Sequence, residues 1–204
     1  MKWWVNLKQR CKTCSRVTLG LGVLVVALFL AGGFAIAGAA GLAWTNTETF
    51  CIGCHEMREN VYKEFQGTIH DKNRSGVRAI CSNCHVPHEP IPMLKRKVAA
   101  TFEIWGHLTG AIDTREKFEK HRYELAKHVW TRMVTTDSLE CRNCHKRDAM
   151  SKAKQSEKAQ DRHKKADAEG LTCIECHYGI AHTEPEGELG PKEIKAEMKK
   201  AGKL

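Results

Sequence analysis

Residues 51–57 read CIGCHEM, and the first five of them decide what kind of fold this chain can have. Two cysteines separated by two residues, with a histidine directly after, form the pattern that joins haem covalently. Each cysteine becomes a thioether on a vinyl group, and the histidine is placed to bind the iron. The pattern recurs as CSNCH at 81–85, CRNCH at 141–145 and CIECH at 173–177, using eight of the ten cysteines. Paired CxxC motifs also build zinc ribbons, but a ribbon has no use for histidine after every second cysteine. We therefore expect four c-type haems, on Cys51 and Cys54, Cys81 and Cys84, Cys141 and Cys144, and Cys173 and Cys176. Four porphyrins in so short a chain must serve as the core themselves, with short helices and loops around them. The expected fold class is mainly α with much irregular loop, and the region is expected not to fold without haem.

Iron in a low-spin haem takes two axial ligands. The motif histidines His55, His85, His145 and His177 supply one each and fall 30, 60 and 32 residues apart (55→85→145→177), which reads as two dihaem modules around a connector. Further histidines recur at matched places: His70 before the second motif and His163 before the fourth, His88 after the second and His182 after the fourth. His70, His163 and His182 are the expected second ligands, with His88 a weaker candidate. His107 and His128 read as solvated. At the first motif Met57 offers a thioether that also binds haem iron, so the ligand there is Met57 or His55.

Residues 17–44 carry no charge and exceed the about 20 apolar residues that span a bilayer. A cleaved signal peptide is the competing reading, but its apolar region runs about 7–15 residues. Lys2, Lys8, Arg10, Lys12 and Arg16 precede the span without an acid among them, and positive flanks stay in the cytoplasm. Trp3, Trp4 and Trp44 suit the two interfaces. The expected organisation is a basic cytoplasmic N-terminus (1–16), a single anchor in the inner membrane (17–44) and a periplasmic tetrahaem domain (45–184). That domain divides into a first module (45–90), a connector (91–135) and a second module (136–184), and a charged, mobile tail (185–204) follows. Cys11 and Cys14, on the cytoplasmic side, read as idle thiols.

The connector reads as two helices. Leu94, Val98, Thr101, Phe102, Trp105 and Leu108 make one stripe within 92–109; Phe118, Leu125, Val129 and Met133 make another within 115–133, with His121 on it as a ligand or a core histidine. The formal charge of +9 is largely offset by roughly two propionates per haem. The lysines are spread without an aromatic–basic platform, which argues against nucleic acid.

The anchor, the paired CxxCH motifs, CHEM at the first, CHVPHEP at the second and CHYGIAH at the fourth together closely resemble the NapC/NirT family, over roughly residues 17–184. The segments HDKNRSGVRAICSNCHVPHE and ECRNCH are most like the NapC branch. The resemblance implies a membrane-anchored quinol dehydrogenase that feeds a periplasmic reductase, nitrate reductase with its small cytochrome subunit, from menaquinol or ubiquinol. By analogy with a related quinol dehydrogenase it implies Met57 as the first haem's ligand. It also implies Lys97 and Glu103, the latter in place of an aspartate, as the groups that bind quinol and take its proton. Six residues on an ideal helix place these two about 120° apart. Two other readings stand beside this one: an electron carrier with no quinol site, and a terminal reductase. The reductase needs an open iron, such as CxxCK provides, whereas all four motifs here end in histidine.

Overall fold

The apolar run becomes one uninterrupted helix, α1 (Lys2–Trp44). In a bilayer only a helix or a closed barrel satisfies every backbone group, and a run without charge or proline can form the helix. Its segment Thr18–Trp44 is long and apolar enough to cross a membrane, with none of it buried against protein. The computed structural model describes residues 2–204, with side chains from residue 18 onward. The readings for Lys2, Trp3, Trp4, Cys11 and Cys14 fall on side chains outside the described residues.

Met1–Thr45 and Asn46–Leu204 are two separate units. The second takes in both expected modules, the connector and the tail as one body. Its regular elements are all helical, and no strand occurs among the described residues. They are α2 (Glu48–Cys51), a π-helical stretch at Met57–Tyr62, α3 (Lys63–Phe65), α4 (Cys81–His85), α5 (Pro90–Leu108), α6 (Arg115–Thr135), α7 (Leu139–Cys144), α8 (Glu157–Glu169) and α9 (Pro191–Lys200), with short 3₁₀ turns between.

The connector helices start where local chemistry says they should. Proline, which needs no hydrogen-bonded N–H, sits in the first turn of α5. At α6 the Thr114 hydroxyl accepts from the Lys117 amide. α6 buries Phe118, Arg122, Trp130, Met133 and Val134, and Trp130, Met133 and Val134 join Ile174 and Ile194 in the apolar core. α5 buries no residue at all.

Ile194 belongs to the segment expected to be a mobile tail, and that expectation needs correcting. α9 packs on α6 and on the turn at Cys173–Glu175. Pro191 and Ile194 are buried, and Lys195 donates to Glu175, whose side chain is 1% exposed (2.6 Å). The charged composition hid an amphipathic helix whose apolar side is only a few residues wide.

Candidate haem sites

Each CxxCH motif sits at the end of a short helix or turn, so its cysteines are held by local backbone bonds. Asn83 within the second motif accepts from the Ile80 amide (2.8 Å) and fixes the start of α4. At the fourth, Glu175 accepts from the Thr172 amide (2.6 Å). The turn between α6 and α7 has two non-glycine residues in the left-handed region, Asp137 (φ 51°) and Ser138 (φ 53°). That conformation costs about 1–2 kcal/mol per residue. It seats the fully buried Ser138 hydroxyl against Thr172 Oγ1 (2.5 Å) and under the Ile174 amide (3.1 Å), which joins the third motif to the fourth.

The cysteines follow one another in chain order. Cys51 lies beside Cys81, Cys84 within electrostatic reach of Cys144, and Cys141 beside Cys173. As free thiols, their mutual interaction lowers Cys51 and Cys173 and raises their partners Cys81 and Cys141. Thioether formation removes both effects, because neither sulfur then carries a proton.

The histidine rings meet in pairs. His70 and His145 lie with ring centres 6.1 Å apart, His85 and His182 6.2 Å, His163 and His177 6.1 Å, and His55 and His107 6.4 Å. An iron between two imidazoles, at about 2 Å from each nitrogen and with ring centres roughly 1 Å beyond, would set them about 6 Å apart. The first three pairs fit haem iron on that ground. Their outer nitrogens fit it too: His182 donates from Nδ1 to the Val61 carbonyl (3.0 Å) and His163 from Nδ1 to Gln155 (2.8 Å). Such bonds fix the tautomer that leaves Nε2 free for a metal. Burial, then the charges of His182, Arg132 and Arg96, bring His85 down to about 3. Burial likewise lowers His182 and, with His145 beside it, His70. All three are held neutral, the form that ligates.

Two of these pairs join the halves expected to be separate modules. His70 of the first reaches His145 of the third motif, and His182 beyond the fourth reaches His85 of the second.

The fourth pair is built differently. Glu56, 2% exposed, accepts from His107 Nδ1 on one oxygen (2.5 Å) and has His55 Nδ1 3.2 Å from the other. His55 Nε2 donates to the Asp113 carbonyl (2.6 Å), so the nitrogen that would meet iron already has a protein acceptor. Donor atoms of Cys54, Glu56 and His107 lie within 4.8 Å of one another. A Cys54 committed to a thioether has no thiolate to give a separate metal. Met57 is exposed and opens the π-helical stretch, and such stretches are frequent at functional sites.

His107 is thus not the solvated histidine expected. The missed signal was its face: on α5 it lies with Arg96 and Ala100, opposite the apolar stripe. Glu56 had no signal beyond its place in CHEM. His88, His121 and His128 are exposed and belong to none of the four pairs. Lys97 and Glu103 share the unbroken α5 but point to different neighbours. Glu103 pairs with Arg96 (2.8 Å), while Lys97 lies near Cys51, its ammonium lowered by burial against the pull of that sulfur.

Residues 10–187 match the model of the NapC/NirT cytochrome c family, N-terminal region. The chain is 50% identical to the denitrification system component NirT of Stutzerimonas stutzeri, over 85% of this chain and 86% of that one. It is 49% identical to the cytochrome c-type protein NapC of Paracoccus pantotrophus (96% and 84%). It is 44% identical to a putative tetraheme cytochrome-c type protein of Allochromatium vinosum (80% and 89%). No solved structure matches.

Proposed function

The chain belongs to the NapC/NirT cytochrome c family, and from that premise we propose that it oxidises membrane quinol and passes the electrons along four haems to a periplasmic reductase. It is a membrane-anchored electron-transfer cytochrome with covalently bound haem. The proposal adds the haem count, the quinol, a cytoplasmic N-terminus in the inner membrane, and nitrate reductase with its small cytochrome subunit as the acceptor. One observation carries it above all: three histidine pairs at iron-spanning distance, with His107 facing the first motif, beside cysteines that follow in chain order from Cys51, the first after the anchor.

Bound haem supplies one-electron iron chemistry at each site. Eight cysteines would fix the four groups, and His70 with His145, His85 with His182 and His163 with His177 would ligate three of the irons. At the first, the His55 Nε2 that would meet iron is engaged by the Asp113 carbonyl, which supports Met57 as the motif-side ligand with His107 opposite. A second reading, His55 opposite His107, has the 6.4 Å ring spacing in its favour and requires His55 to leave the Asp113 carbonyl.

Quinol gives up two protons with its two electrons. Lys97, half-buried near Cys51, suits a hydrogen bond to a quinol oxygen. Glu103 would take one proton, exchanging Arg96 for quinol as it does so, and the second would pass to water outside the membrane. The test is haem reduction by added quinol in the purified, detergent-solubilised protein. Lys97→Ala and Glu103→Gln should slow it by about 10²-fold or more and leave reduction by dithionite unchanged. Full quinol activity in both variants would place the quinol elsewhere.

A further inference from the structure

Helix α5 has an inner side and an outer side of opposite character. At about 100° per residue, Met93, Arg96, Ala100 and His107 fall together, and their contacts mark that side as inner. Asn46 donates to the Met93 sulfur (3.7 Å), Arg96 to the His85 carbonyl (3.2 Å) and His107 to Glu56 (2.5 Å). The other side carries Ile91, Leu94, Val98, Phe102, Trp105 and Leu108 as a continuous stripe, each 44–76% exposed. Arg96 and His107, which reach the second and first haem motifs, are on the inner side, away from this stripe.

An apolar stripe along the whole of a 19-residue helix, about 28 Å, is more than a monomer in water leaves uncovered. Its edges say what covers it. Lys95 flanks the stripe beside Phe102, and Lys97 flanks it on the far side, beside Ile104 and Leu108. The helix carries Lys95, Arg96 and Lys97 against the single acid Glu103. Lysine stems lie along apolar surface while the ammonium reaches outward, and indole suits the headgroup level. An apolar face bordered by cations and carrying tryptophan is how a helix lies in a membrane interface. A chain with its own span has lipid at hand.

We propose that α5 lies along the bilayer surface, with the Ile91–Leu108 stripe among the acyl chains and Lys95 and Lys97 among anionic phospholipid headgroups. The anchor is then one of two lipid contacts, and the second sets the tilt of the haem unit. The inference stands without the quinol reading, since it needs no reaction at Lys97.

The test places the full-length holoprotein in nanodiscs of phosphatidylethanolamine and phosphatidylglycerol containing a lipid with a diazirine on its acyl chain. Photolysis and mass spectrometry then map the adducts. Adducts are expected at Val98, Phe102 or Trp105 as well as within Thr18–Trp44. A Phe102→Glu, Trp105→Glu variant with an unchanged haem spectrum should lose those on α5 and keep those on the span. Replacing the anionic lipid by phosphatidylcholine should lower α5 labelling by up to roughly thirtyfold, since Lys95 and Lys97 near an anionic surface contribute about 1 kcal/mol each. Equal labelling in both lipids would overturn the headgroup half of the proposal. Adducts confined to the span would overturn it entirely. Trp105 would then be open to hydroxyl radicals if water covers it, or protected from them if a second copy or another protein does.

Discussion

Glu64 shows how a single carboxylate can secure a haem ligand from a distance. It accepts from Arg122 (2.5 Å) and from the Thr183 amide (2.8 Å), the residue after His182. Burial alone would raise its pKa, but these hydrogen bonds and the charge of Arg122 hold it below the usual carboxylate range. A carboxylate depressed on folding adds stability above its unfolded pKa, about 4.3, and loses it as pH falls through the lower folded value. The thermal midpoint should therefore drop between about pH 5 and 3, and Glu64→Gln should remove that part of the drop while lowering the midpoint at neutral pH. His70→Ala, His163→Ala or His182→Ala should each convert one low-spin haem to high-spin by electron paramagnetic resonance, and His107→Ala should do the same at the first haem. His128→Ala should leave the spectrum unchanged. If Met57 is the first haem's ligand, Met57→Ala shifts that haem's band and potential; unchanged values would give the position to His55. The motif residues were legible in the sequence because covalent attachment fixes their spacing. His107 and Glu56 were not, because what matters is the inner face of α5, and no short-range pattern marks a face as inner.

The two connector helices were legible within two residues at their starts, because their apolar residues repeat with a helical period. Their burial was not. Both show apolar stripes, yet α6 packs into the core while α5 turns its stripe outward. Periodicity tells that a helix has an apolar side but not what meets it. α9 was missed for the opposite reason: its lysines and glutamates concealed Pro191 and Ile194. Ile194→Ala should cost about 2–5 kcal/mol, read as a lower denaturation midpoint of the holoprotein. Lys195→Met should cost about 3–5 kcal/mol, because it leaves the buried Glu175 charge with the Thr172 amide but no cation. A freely mobile tail would show neither loss.

Across the whole molecule two of the histidine pairs, His70 with His145 and His85 with His182, cross between the expected modules, which are interlocked rather than strung together. The matched spacing within each pair of motifs suggested duplication. Which histidine crosses to which motif could not be read there, because pairing is settled by the folded path of Val61–His70 and of His177–Thr183. One outcome follows for how the molecule is made. A chain is delivered N-terminus first, so Cys81, Cys84 and His85 arrive long before His182. If His182 completes the second site, the group attached there waits through nearly a hundred residues of export with one face unguarded, open to water, sulfide or cyanide. Timing then matters as much as shape. A chain cut short after the third motif would carry its haems, and a haem stain would pass it as sound. Only its spectrum, or its affinity for a small poison, would reveal that the second iron was still waiting.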